Sequence, residues 1–307
     1  MKRLSWMLVI ILAASGFYTW AAPPLQAQEN EILFDDFNYT AYDDPLLDGH
    51  GWIVREAPGW PGVPGAVWRA EDVAFVEDPD DTGNSLLQMT SSTGDDGTFQ
   101  TQICHQRKYY EGTYAARVLF TDQPASGPDG DQVVQTFYLI SPQEYDLDPN
   151  YSEIDWEYLP NGGWGMSDHV IFATTWETFR LDPWLAENES DSMPVSLAGW
   201  HTLVIQVADE EVTTYIDGEL FAIHGDEYYP EVPMSINFNH WFINGGLIHS
   251  DEQRDYVEQV DWVFFASNTV LTPEEIDTNV AALREAGIAF TDTVPDWDPP
   301  LESPCNF

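Results

Sequence analysis

The densest chemistry in the chain lies in one short run, Ser152-Glu-Ile-Asp-Trp-Glu-Tyr158. In an extended strand alternate side chains share a face, so Glu153, Asp155 and Glu157 project together while Ile154, Trp156 and Tyr158 enter the opposite layer. Carboxylates stacked at i, i+2 and i+4 repel one another, which opposes folding and raises at least one pKa. Distance suggests what they are for. Four residues of strand separate the outer α-carbons by about 13 Å. If each glutamate leans inward by about 3.5–4 Å, the carboxyls come to about 5–6 Å, where one can attack an anomeric carbon while the other protonates the leaving oxygen. Asp155, between them, would hold a proton or hydrogen bond that tunes the attacking group. The plain alternative is a solvated acidic strand on an acidic protein. Ile154, Trp156 and Tyr158 argue against it, because they are too apolar for an edge strand in water. A central strand seldom turns three acids toward a merely wetted face.

The elements around this run read as β-structure. Thr113–Phe120, Gln132–Ile140, His201–Val207 and Val212–Ile216 are short, rich in β-branched or aromatic residues, and bounded by Gly, Pro, Asp or Asn. Asp217-Gly218 between two such segments predicts a type I′ hairpin, whose positive φ angles this pair adopts at low cost. Many short strands at close spacing predict an all-β sandwich or jelly roll. One helix stands out: Thr272 caps it, Pro273 takes its first position, Glu275 completes a capping box and Gly287 ends it. A proline-rich tail over 294–307 follows, with no internal repeat and no linker long enough to separate a second domain.

Composition narrows the function. The chain has 307 residues, with 53 Asp+Glu against 10 Lys+Arg, so the formal charge of −43 disfavours any polyanion, and nucleic acid is excluded as a partner. At 43% apolar and 14% aromatic it can still bury a full core, which argues against disorder. Lys2 and Arg3 precede an apolar run too short to span a bilayer comfortably, the pattern of a secretory signal over residues 1–27 with cleavage after Ala27. A retained N-terminal anchor is the alternative, and no later segment resembles a membrane span. Export leaves two states open for the only cysteines: a Cys104–Cys305 disulfide or two unpaired thiols. Acidic runs such as Asp78-Pro-Asp-Asp81 read as solvated turns. An EF-hand register fails there, with Thr82 at the fifth position and Met89 at the twelfth. No H-E-x-x-H, G-x-S-x-G, Walker or Rossmann pattern occurs, which demotes metal hydrolases, serine hydrolases and nucleotide enzymes.

Glu153-Ile-Asp-Trp-Glu157 resembles the E-x-D-x-E signature of glycoside hydrolase family 16, in the unbulged form of lichenases and xyloglucan-active members. Other stretches are similar to family elements in the same order: Phe34–Asn38, Tyr110–Arg117, Gln135–Leu139, Trp200-His-Thr-Leu203 with Tyr215–Gly218, Asn239-His-Trp241 and Val260–Val263. The resemblance spans about residues 33–266. It implies a jelly roll of two curved antiparallel sheets with a concave cleft over residues 28–268, ahead of a helix and tail at 269–307. By the same resemblance the chain would be an endo-acting retaining glycosidase on internal β-linkages of a polysaccharide; with the signal pattern it is expected to be extracellular or periplasmic, and a monomer with no required cofactor is expected. Glu153 would be the nucleophile, Asp155 its helper and Glu157 the acid/base. Tyr138, Asn239 and Trp241 match positions that contact sugars, and Asp261 an acid near a structural calcium. Departures accompany this. Phe242–Leu247 replaces a segment that often carries a second Trp, and Gln102 and Cys104 stand where lichenases place a sugar-gripping Glu and Arg, so Gln102 is the substrate-binding candidate there.

The charge predicts a neutral β-glucan as the polysaccharide. Transglycosylation by the same glutamates, or sugar binding without catalysis on a lectin-like sandwich, are the alternatives. Aromatic rings stack on the apolar faces of pyranoses. Trp164, in the turn Asn161-Gly-Gly-Trp-Gly165, is the outlying candidate for such a contact, and Trp176, whose strand position allows either face, is a second; Trp52, Trp60 and Trp68 are assigned to the core. Among the histidines, His201 reads as structural, while His105 and His240 are aligned nearer the cleft.

Overall fold

The computed structural model describes residues 31–303 and Cys305; the expected signal segment at 1–27 lies outside the described residues. Two antiparallel sheets pack face to face. The inner, groove-bearing sheet orders its strands Trp52–Val54, Gly97–His105, Ser235–Phe242, Val133–Ile140, Glu153–Leu159, Val170–Arg180 and Leu185–Met193. The outer sheet runs Val73–Glu77, Ser85–Gly94, Arg254–Ser267, Gly112–Phe120, Gly199–Ala208, Glu211–Ile216 and Glu219–Gly225. The strand Gly97–His105 belongs to both, pairing Ser92 and Thr93 through its first residues and Asn237–His240 through its later ones.

Between the sheets lies the main core, where Ile154, Trp156 and Tyr158 are each no more than 1% exposed and pack with Phe137, Phe238, Ile171 and Leu203. Glu153–Leu159 is therefore central, as its apolar face demands, with Val133–Ile140 on one side and Val170–Arg180 on the other. The Asp217-Gly218 turn takes φ of 50° and 83°, the predicted I′ geometry. Helix Pro273–Glu285 carries its capping box: Thr272 Oγ1 accepts from the Glu275 amide at 3.3 Å and Glu275 Oε2 from the Thr272 amide at 2.9 Å. Ile276 and Val280, one turn apart, press it onto Phe34, Trp262 and Phe264 of the outer sheet.

The segment after the helix is more than a tail. Phe290–Asp292 returns as a strand beside Ile32–Asp35. Lys108 Nζ then holds Asp292 at 2.8 Å and Asp296 at 2.9 Å, and Cys305 is bonded to Cys104. Of the two cysteine states left open by the sequence, the structure has the disulfide. A second short helix, Pro45–Gly49, is also present, capped by Asp44. Among the described residues no helix is long and apolar enough to cross a membrane.

Candidate active site

A groove of about 620 Å³ crosses the strands of the inner sheet, and Glu153, Asp155 and Glu157 stand along its floor. Strand alternation puts them there, since the intervening side chains are committed to the core. Trp164, Trp176 and Trp241 line the same groove, together with Trp60, Trp184, Phe172, Asn188 and Ser190. Tyr138, Gln102 and Asn239 line an adjoining recess that shares all three acids. The sequence candidates for catalysis and sugar contact thus converge on one face; Asp261 does not.

The acids differ in surroundings. Trp176 Nε1 donates to Asp155 Oδ2 at 2.7 Å, and Tyr151 donates its hydroxyl proton to Glu153 Oε2. Glu153 and Asp155 are next to each other on this face of the strand, and each affects the other's titration. Burial pushes Glu153 up to about 7, opposed by its bonds to Tyr151 and Asp155. Burial, then the charge of Glu153, pushes Glu157 up to about 8. Asp155 is raised well above its usual range, by burial and by the charges of Glu153 and Glu157. Three carboxyls so close titrate as a set, and near neutrality the set retains protons. With Oδ2 occupied by Trp176, a protonated Asp155 has its other oxygen free to donate to Glu153.

Behind the acids a polar network fixes the floor. Arg55, 1% exposed, donates to Gln102 Oε1 at 2.8 Å and lies over the Trp68 ring at 4.2 Å. Gln102 Nε2 donates to the Tyr138 hydroxyl at 2.8 Å, as does Asn239 Nδ2 at 3.2 Å. Asn239 Oδ1 accepts from Thr136 Oγ1 at 2.7 Å. Gln102 and Asn239 are therefore nearly consumed in holding Tyr138, and act on a ligand mainly through that hydroxyl. The rings form two groups flanking the acids. Trp164, at φ 50° in its glycine-rich turn, leans on Phe172 and Trp241 with centroids 5.5 and 6.2 Å away. Across the floor Trp176, Trp184, Phe179 and Trp60 form a second cluster at 5.8–6.4 Å.

Several assignments change. Trp52 and Trp68 are core residues, 2% exposed, but Trp60 is 51% exposed and stands on the groove wall. Its setting, Pro58-Gly-Trp-Pro-Gly62, has the same turn-forming flanks as Trp164, and such flanks hold a ring at the surface and off the core. His105 and His240 do not reach the cleft. Both are buried between the sheets, and burial pulls each down to about 3. His105 bonds the His50 carbonyl and the Tyr109 hydroxyl. His201 pairs with Asp217 at the hairpin turn of the outer sheet, a structural role.

Asp261 is corrected as a metal ligand. It sits at a register shift in Arg254–Ser267, and its oxygens are taken by Arg284 Nη2 at 2.6 Å, Arg117 Nη1 at 3.1 Å and Asn84 Nδ2 at 2.8 Å. Arg284, from the last turn of the helix, also binds Asp36. Two guanidinium groups thus stand where a cation would, and the residues do not fit calcium. Among the described residues no cluster of three or more His, Cys, Asp or Glu is arranged for a metal. Arg284→Met is expected to cost about 1–3 kcal/mol in urea unfolding, because it strands two acids on one partner fewer. Chelation by EDTA is expected to leave the unfolding midpoint of the natural chain unchanged.

No family model matches the chain, and no curated protein matches it. Solved structures do. A glycoside hydrolase family 16 endo-glucanase from Bacteroides ovatus superposes at a TM-score of 0.57 with 17% identity, covering 75% of this chain and 98% of its own. The β-glucanase of Bacillus licheniformis superposes at 0.55 with 14% identity, over 78% and 100%. LamAcat from Zobellia galactanivorans does so at 0.55 with 14% identity, over 78% and 98%. This chain has the family 16 jelly-roll fold. Helix Pro273–Glu285 and the strand Phe290–Asp292 follow the last long strand of the sandwich; the helix brings Arg284 to Asp261, and the segment after the strand brings Cys305 to Cys104.

Proposed function

We propose that the chain is a secreted, endo-acting, retaining glycoside hydrolase that cleaves internal β-linkages of a neutral β-glucan. The observation that carries this reading is that Glu153 and Glu157 face one aromatic-walled groove from one strand, with Asp155 between them and all three acids raised. A merely sugar-binding surface would gain nothing from the cost of burying them.

In the proposed reaction Glu153, ionised and steadied by Asp155 and Tyr151, attacks the anomeric carbon. Glu157 gives its proton to the glycosidic oxygen, which leaves as a sugar hydroxyl. A glycosyl ester on Glu153 remains. Glu157, now a carboxylate, takes a proton from water; the water oxygen bonds the anomeric carbon, and Glu153 leaves as the carboxylate. Two inversions give retention. Endo action is supported by the groove's course, which carries lining residues from Gln102 through Trp241, Tyr138 and the acids to Ser190, leaving floor on both sides of the reacting pair. Neutrality of the substrate is supported by the lining as well. Among the described residues Arg55 is the one Lys or Arg in that lining, and it is already engaged with Gln102 and the carbonyls of Ala57 and Trp60. Export is supported by the N-terminal pattern and by the disulfide.

The test is a panel of barley β-glucan, lichenan, laminarin, xyloglucan, agarose and carrageenan with mass analysis of products. Oligosaccharides released from a neutral glucan are expected. Activity confined to carrageenan would refute the charge argument, inertness on all six would refute the hydrolase, and products longer than the acceptor supplied would reveal transglycosylation. The pH profile of kcat/KM should be a bell. Its limbs belong to the coupled set: the acid limb, at about 7, follows loss of the anion that attacks, and the alkaline limb, at about 8, loss of the proton that Glu157 donates. A plateau extending down to about pH 5 would contradict the assignment.

A further inference from the structure

Glu153 is gripped from a side that no sugar reaches. Tyr151 precedes the strand by two residues. Its ring is 1% exposed and meets Phe179 edge-on, with centroids 5.3 Å apart, and its hydroxyl donates to Glu153 Oε2. The loop that carries the phenol is braced at several points. Asp148 accepts the amides of Glu144 and Asn150 at 3.1 and 3.0 Å, and the Tyr151 amide donates to the Asp148 carbonyl at 3.2 Å. Ser152 exchanges two bonds with Ser141, at 2.8 and 2.9 Å. Tyr151 does not line the groove or its recess, so its hydroxyl acts on a ligand only through Glu153.

We propose that Tyr151 is the positioning residue of the attacking carboxylate: its hydroxyl pins Oε2 of Glu153, orients the carboxylate toward the anomeric carbon and favours its ionised form. The inference rests on the reading of Glu153 as nucleophile. A donor aimed at a carboxylate strengthens as negative charge gathers on it. In the first step the bond keeps Glu153 ionised beside two other acids. In the second step it strengthens again as the ester breaks and the electron pair returns to Glu153, so it assists release of the sugar. The other charged or titratable groups around Glu153 are Asp155 and Glu157 on its own strand, Tyr138 from Val133–Ile140, and Arg55 behind Tyr138. Tyr138 accepts two amide donors at its hydroxyl, while the hydroxyl that bonds Glu153 is that of Tyr151.

Tyr151→Phe keeps the ring against Phe179 and removes only the donor. On a cleaved glucan its kcat is expected to fall roughly ten- to hundredfold, with KM within about twofold, since the hydroxyl makes no sugar contact. Loss of a donor that favours the anion moves the acid limb of kcat/KM upward, by about one pH unit. The unfolding midpoint should barely change. A limb that stays in place overturns the proposal, whether kcat is unchanged or falls together with stability, since a purely structural role lowers rate without moving the limb. If the Phe variant does not fold, 3-fluorotyrosine placed at 151 keeps the shape with a more acidic hydroxyl and should move the limb downward; no movement overturns the proposal. Absence of any glycosidase activity in the natural chain would instead defeat the nucleophile reading, and the two failures are told apart by that control.

Discussion

Glu153→Gln is expected to lower turnover of the cleaved glucan by about 10⁴–10⁶-fold while leaving oligosaccharide binding within a few-fold of the natural chain. The amide keeps the size and hydrogen-bonding reach of the carboxylate, but it has no anionic oxygen to form the glycosyl ester, and no neighbour can substitute. Asp155 is the nearest candidate, yet burial and the charges of Glu153 and Glu157 favour its protonated form, and Trp176 occupies one of its oxygens. Steady-state rates with the glucan, and calorimetric titration of an oligosaccharide product, separate the two effects. Turnover within tenfold of the natural chain would remove Glu153 from the reaction.

Folding of the Gln variants can be checked from the same carboxyls. Glu153 and Glu157 are raised above the unfolded-state value, about 4.3 for Glu, to about 7 and about 8. The folded chain therefore prefers their protonated forms. The stability this contributes is complete below about pH 4 and is lost as pH rises through about 7 and 8. A Gln at either position does not titrate, so each variant should match the natural chain at pH 4 and exceed it in melting temperature at pH 9. A variant inactive for lack of folding would melt lower at both.

Glu157→Gln carries the second large effect, a loss of about 10²–10⁴-fold on polysaccharide that shrinks sharply on an aryl glycoside with a good leaving group. The reason lies in which step needs the proton. A sugar alkoxide cannot leave unprotonated, whereas a nitrophenolate can, so the ester forms and the slow step becomes attack of water without its base. The alkaline limb of the pH profile should vanish with the residue. Small nucleophiles that need no base, such as azide, should restore turnover of the aryl substrate with product of unchanged anomeric configuration. Equal losses on both substrates would mean that Glu157 does something other than transfer a proton.

The legibility of the molecule followed the physics of each element. The catalytic strand was readable because period two separates Glu153, Asp155 and Glu157 from Ile154, Trp156 and Tyr158, and few sequences pay the electrostatic penalty of such stacking without a use for it. The Asp217-Gly218 turn and the Thr272–Glu275 cap were readable because local backbone chemistry specifies them. The strand Leu185–Met193 was not. As an edge strand mostly exposed on both faces it alternates nothing, and its Glu, Asn, Asp and Ser residues serve to blunt the edge while Ala186, Asn188 and Ser190 extend the groove. Trp60 and Trp184 were missed for a related reason: a ring in a turn has no periodicity to assign its side. Arg55, Tyr151 and Arg284 act through partners far away in sequence or off the strand register, which no local pattern encodes. Arg284 lies 248 residues from Asp36, and only the folded helix shows that a guanidinium stands where a cation was expected.

The central claim is that Glu153 bonds covalently to the sugar while Glu157 manages the proton, and one measurement addresses it most directly. The chain is incubated with an activated 2-deoxy-2-fluoro β-glucosyl oligosaccharide, which slows breakdown of the ester, and the labelled peptide is located by mass spectrometry. The account predicts a single adduct on Glu153, formed at a rate that falls below about pH 7 and absent in Glu153→Gln. An adduct on Asp155 or Glu157, or no adduct at all from a chain that hydrolyses the unfluorinated substrate, would contradict it.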